Sequence, residues 1–153
     1  MTLNIPPERV LAASEATSKK AMLTEMAGLF SSMDSDQVLE SIMAREKLGS
    51  TGIGHGVAIP HCRIPELTET RLALARHVEG VDFDAIDGLP VHIVIMLLVP
   101  DDEDRKHLQT LAALARSLQD KLFRQSIMGA GNAEELSDLF KSIVELKMPF
   151  SAS

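Results

Sequence analysis

The run Val91–Val99, VHIVIMLLV, constrains the fold of this chain more than any other stretch. It is apolar almost without a break, rich in branched residues, and bounded by Pro90 and Pro100. A strand with one wet face alternates apolar and polar side chains, whereas a short unbroken run reads as a strand covered on both faces. It is far too short to span a bilayer. A sheet built around such a strand needs helices on both of its sides, and the flanking sequence supplies candidates for them.

Ser18 precedes a helical pattern that sets Met22, Leu23, Met26, Leu29 and Phe30 on one face. The methionines are read as core filler. Asp34 with Gln37 opens a second helix with Val38, Leu39, Ile42 and Met43 inward and Arg45 at its C-terminal end. Leu72 to Val78 reads as a strand with Leu72, Leu74 and Val78 facing one way, and Asp87-Gly88 with Pro90 marks a turn. After the central run, Asp101, Asp102 and Asp104 open a helix expected to bury Leu108, Leu111, Leu114, Ala115 and Leu118. Asp120 starts a short helix with Leu122, Phe123 and Ile127, stopped by Gly129 and Gly131. Asn132 and Glu135 form the N-terminal box of a last helix carrying Leu136, Leu139, Phe140 and Ile143. The lead-in to Thr17, with Pro6 and Pro7, shows too little periodicity to assign, and the tail MPFSAS is expected to fray. No linker or repeat divides the chain, so residues 1–153 are expected to form a single domain with its core over about 18–145.

Charge narrows the function classes. The net charge of −7 argues against a nucleic-acid binder, which presents a basic face. One cysteine, Cys62, allows no internal disulfide, and the N-terminus lacks the basic and apolar regions of a signal peptide. A cytoplasmic protein without membrane insertion is expected. Aromatics are only 3% of the chain, so the core must be aliphatic and methionine-filled.

The chemistry concentrates between Arg45 and Arg63, REKLGSTGIGHGVAIPHCR. Clustered glycines build a loop whose backbone N–H groups can turn inward on an anion. Val57-Ala58-Ile59 reads as a short strand stopped by Pro60, which leaves His61 at a strand end beside that loop. Imidazole is a competent nucleophile when neutral, and most of it is neutral at cytoplasmic pH. A histidine beside hydroxyls, glycine N–H groups and a guanidinium suits a phosphohistidine.

The run REKLGSTGIGHGVAIPH resembles the phosphorylation-site signature of the IIA proteins of the phosphoenolpyruvate:sugar phosphotransferase system. Within them it is similar to the fructose/mannitol family and most of all to its nitrogen-regulatory branch. LVPDDEDRKHLQTLAALAR (Leu98 to Arg116) resembles the family's second block, and FDAIDGLPV (Phe83 to Val91) a connecting segment of that branch. The resemblance implies an α/β fold with a central mixed sheet flanked by helices on both faces. It implies that His61 accepts a phosphoryl group from a phosphocarrier histidine protein of the HPr or NPr kind. Arg45 and the backbone of Gly54, His55, Gly56 and Val57 would hold the phosphoryl oxygens, Thr51 would orient the loop or donate its hydroxyl, and His107 would act as the second active-site histidine. No cofactor or metal is implied. Downstream, the phosphoryl group serves regulatory protein targets or, in a sugar-transport IIA, passes to a IIB domain; the lack of a fused IIB or IIC segment favours regulation.

Two residues depart from the branch pattern, His55 where Asn is common and Cys62 where Gly is common. Residue chemistry alone reads His55 as a solvent-facing side chain and Cys62 as an inert thiol. His92 reads as a structural residue rather than a ligand. A metal site built from His55, His61 and His107 finds no supporting carboxylate or cysteine at zinc spacing.

Overall fold

The computed structural model describes residues 4–101 and 104–147, with the side chains of 104–107 and 144–147 outside the description. Six strands form one mixed sheet. They are β1 (Val10–Leu11), β2 (Gly52–Gly54), β3 (Val57–Ala58), β4 (His61–Arg63), β5 (Arg71–Val81) and β6 (Val91–Val99). The order is β1-β5-β6-β3-β2, with β4 continuing the β3 side of β6. β6 runs antiparallel to β5 and parallel to β3 and β4, so the unbroken apolar run is the centre of the sheet.

Alternation along β6 divides the core. Ile93, Ile95, Leu97 and Val99 face one layer, where α3 (Asp104–Leu118), α4 (Lys121–Gly129) and α5 (Ala133–Lys147) pack. Val94, Met96 and Leu98 face the other, covered by α1 (Lys19–Ala27) and α2 (Ser35–Glu46). Met22 and Met26 of α1 have no exposed surface and lie in the cluster that also holds Ala73 and Ala75 of β5, so the methionines are core. Helix starts follow the local chemistry. Ser18 accepts the Ala21 N–H, Asp34 those of Asp36 and Gln37, Asp120 that of Leu122, and Asn132 that of Glu135.

Several expectations are corrected. The lead-in is ordered from residue 4. Ile5 is fully buried, a 3-10 turn spans Pro7–Arg9, and β1 adds a parallel edge to β5. β5 is buried on both faces from Leu72 to His77, and Val78 is 70% exposed, because the register breaks between Arg76 and Val81. Leu108 and Leu122, expected inside, lie on the solvent side of α3 and α4. Asp102 and residues 148–153 lie outside the described residues.

Candidate functional site

The stretch after α2 is a β-hairpin rather than an open glycine loop. β2 and β3 pair antiparallel across a two-residue turn, His55-Gly56, in which both residues have positive φ, 59° and 78°. That is the geometry that matches strand twist in tight hairpins, and it favours Asn-Gly, Asp-Gly or Gly-Gly. Gly52 is needed for a different reason: a Cβ there would stand 2.8 Å from the Cβ and 2.9 Å from the Cα of Ala85. The 83–88 segment thus lies directly on the outer edge of β2, and the His55 N–H donates to Asp87 Oδ2 at 3.0 Å. Asp87 also accepts the Leu89 N–H, and these two bonds hold its carboxyl below the usual carboxylate range.

Pro60 interrupts the edge without ending it. The β3 register on β6 (Val57 with Ile93) resumes in β4 (His61 with Leu97), so His61 opens a new short strand instead of closing an old one. It stands on the sheet face of Leu97, towards the α3 layer, whereas Cys62 points into the α1–α2 core. Burial pushes the Cys62 thiol up to about 12, which leaves it protonated and unreactive as expected.

His61 is half-buried, and its Nδ1 lies 2.8 Å from the Ile59 carbonyl. A carbonyl only accepts, so Nδ1 carries the proton and Nε2 keeps the in-plane lone pair. Burial lowers the imidazole pKa, the Ile59 bond opposes that, Arg45 adds to the lowering and Glu46 opposes it. The balance favours the neutral ring, with its proton on Nδ1. Arg45 occupies the last turn of α2, where a cation suits the helix dipole, and donates to the Gly49 carbonyl at 3.0 Å. Arg63 at the end of β4 donates to the Asp101 carbonyl at 2.8 Å, tying β4 to the connection between β6 and α3.

The ladder separates the expected phosphate-holding groups. Val57 and its partner Gly54 are four residues up the register from His61, about 13 Å at the usual strand rise, and the His55-Gly56 turn is farther still. Ser50 and Thr51 are nearer, since the Ile59 N–H donates to the Thr51 carbonyl at 3.0 Å. Thr51 is buried and its hydroxyl donates to Glu46. His107 lies in the first turn of α3, and its side chain is outside the described residues. His92 has a backbone role, its Nδ1 lying 3.0 Å from the His77 carbonyl and 3.1 Å from that of Val78.

The chain as a whole is similar to proteins of one family. The family model for the phosphoenolpyruvate-dependent sugar phosphotransferase system, EIIA 2, matches residues 4–143. The chain belongs to that family. Its EIIA relatives include a nitrogen regulatory protein of Pseudomonas aeruginosa, 38% identical over 137 residues that cover 86% of this chain and 88% of that protein. A fructose-specific EIIA component of Haloferax volcanii is 37% identical over 112 residues, 73% of each chain. The crystal structure of the nitrogen regulatory protein IIA-Ntr from Neisseria meningitidis is similar at 40% identity and a TM-score of 0.85, over 89% of this EIIA chain and 95% of that one. No helix among the described residues of this EIIA domain is long and apolar enough to cross a membrane.

Proposed function

We propose that this EIIA domain is a cytoplasmic regulatory phosphocarrier that accepts a phosphoryl group on Nε2 of His61 from an HPr- or NPr-like phosphohistidine protein. The observation that carries the reading is the Nδ1 contact with the Ile59 carbonyl, which assigns the proton to Nδ1 and directs attack to Nε2. In the transfer the P–N bond to the donor imidazole breaks as the P–Nε2 bond forms, and the donor nitrogen regains its lone pair. The His61 ring gains positive character once Nε2 is bonded to phosphorus. The Ile59 carbonyl, already aimed at Nδ1–H, stabilises that charge without moving.

Arg45 supplies charge to the phosphoryl oxygens, and His107 stands as the second histidine from the α3 side. Thr51 orients the segment, and Gly54, His55, Gly56 and Val57 serve by shaping the hairpin that presents it. Phosphoryl transfer of this kind asks mainly for positioning and charge stabilisation, and no metal or cofactor is required. Regulatory protein targets then read the phosphorylation state, in keeping with the relatives named nitrogen regulatory protein. Onward transfer to a IIB domain is the second reading, favoured by the likeness to a fructose-specific EIIA component.

The test is intact mass after mixing with phosphoenolpyruvate, enzyme I and the HPr-like carrier. One acid-labile phosphoryl group on the wild type and none on His61→Ala is the expected result. A wild type that stays unmodified with either carrier overturns the proposal.

A further inference from the structure

Glu46 follows Arg45 directly in the chain, yet its carboxylate is turned inward and its side chain is 3% exposed. A buried carboxylate persists only with donors around it. Lys19 Nζ lies 3.0 Å from Oε2, the Thr51 N–H donates to the same oxygen at 3.1 Å, and the Thr51 hydroxyl donates to Oε1. Lys19 also lies 5.4 Å from the centroid of the Phe83 ring, and the Phe83 carbonyl accepts the Ser50 hydroxyl at 2.6 Å. The start of α1, the end of α2, the Ser50-Thr51 segment and the Phe83 segment therefore meet at one buried ion pair. Buried ion pairs are poor stabilisers compared with well-packed apolar residues, so stability alone is a weak reason for this one.

Its connections point to the site. The Thr51 carbonyl accepts the Ile59 N–H, and the Ile59 carbonyl faces His61 Nδ1. Contacts thus run without a gap from Lys19 through Glu46, Thr51 and Ile59 to the imidazole, while Arg45 rides on the same helix end as Glu46. We propose that Lys19, Glu46 and Thr51 are positioning residues for phosphoryl transfer: they hold the Thr51 backbone that places the Ile59 carbonyl against His61, and Lys19 offsets the Glu46 charge beside the incoming phosphoryl dianion. This rests on His61 being the phosphoryl acceptor.

The test compares the full chain with Glu46→Gln, Lys19→Met, Thr51→Val and Thr51→Ser, using the phosphorylated HPr-like carrier as donor. A misplacement of about 1 Å costs on the order of 100-fold in rate, so Glu46→Gln and Thr51→Val should lose roughly 10- to 100-fold at saturating donor with KM nearly unchanged. Thr51→Ser keeps the hydroxyl and should restore the rate. The titration midpoint of His61, followed by NMR, should fall in Glu46→Gln and rise in Lys19→Met, opposite movements that general loosening does not produce. Folded variants with wild-type rates, or midpoints that move together or not at all, overturn the proposal. If the wild type accepts no phosphoryl group, the acceptor assignment fails instead, and the NMR comparison still decides whether the ion pair is wired to the ring. Should Glu46→Gln not fold, Lys19→Met and the two Thr51 variants supply the same readouts.

Discussion

At the residue scale the His61 imidazole is set by its burial and its neighbours. Burial and Arg45 disfavour its protonation, and the Ile59 carbonyl fixes which nitrogen keeps the proton. The His61 titration midpoint should lie below the free value of ~6.5. As pH falls from that value towards the folded midpoint, the unfolded chain takes up the proton first, so His61 makes stability decline there; above ~6.5 its contribution is constant. NMR titration beside urea unfolding across that window checks both statements, and a midpoint at or above 6.5 would refute them. The hairpin turn makes a second prediction. His55 holds φ 59° where Asn is better tolerated, so His55→Asn should stabilise the fold by up to about 1 kcal/mol, read as a raised Tm. The His55 side chain itself is exposed, as its residue chemistry predicted, and the departure from Asn acts through the turn.

Elements carry the site by their ends and edges. α2 delivers Arg45 and Glu46 in consecutive positions with opposite destinations, one to the Gly49 carbonyl and one into the interior. β2 is an edge strand, and the 83–88 segment lies over it, with the Ile86 N–H donating to the Gly52 carbonyl at 3.4 Å. That cover depends on the missing side chain of Gly52. Gly52→Ala must push backbone as well as a side chain, and the expected loss is about 1–3 kcal/mol in chemical denaturation. Full wild-type stability in that variant would mean the covering segment is free to move away. The glycine pattern pointed to close approach in this region. What it could not distinguish was a hairpin from a phosphate loop, because glycine serves both.

Across the whole molecule, one buried side chain joins distant parts of the chain. Arg76 of β5 donates to the Ala12 carbonyl beside β1 and to the Ile127 and Ala130 carbonyls at the end of α4. Arg76→Met strands these acceptors in the interior and should cost about 2–4 kcal/mol, with the N-terminal segment the first to lose hydrogen-exchange protection. A loss under about 0.5 kcal/mol would mean that water replaces the guanidinium. The sequence by itself determined the central strand, the four helix caps and the family to which the chain belongs. Each depends on chemistry within a few consecutive residues: an apolar run, a capping side chain, a motif. Only the tertiary structure decided where β1 docks, that the β6 register resumes after Pro60, which face of α3 and α4 turns outward, and that Glu46 is buried while Arg45 is not. Most of those depend on partners far apart in the chain, such as Arg76 with Ala12, 64 positions away, and Ser137 with Ile5, 132 positions away, and periodicity does not encode which partner arrives.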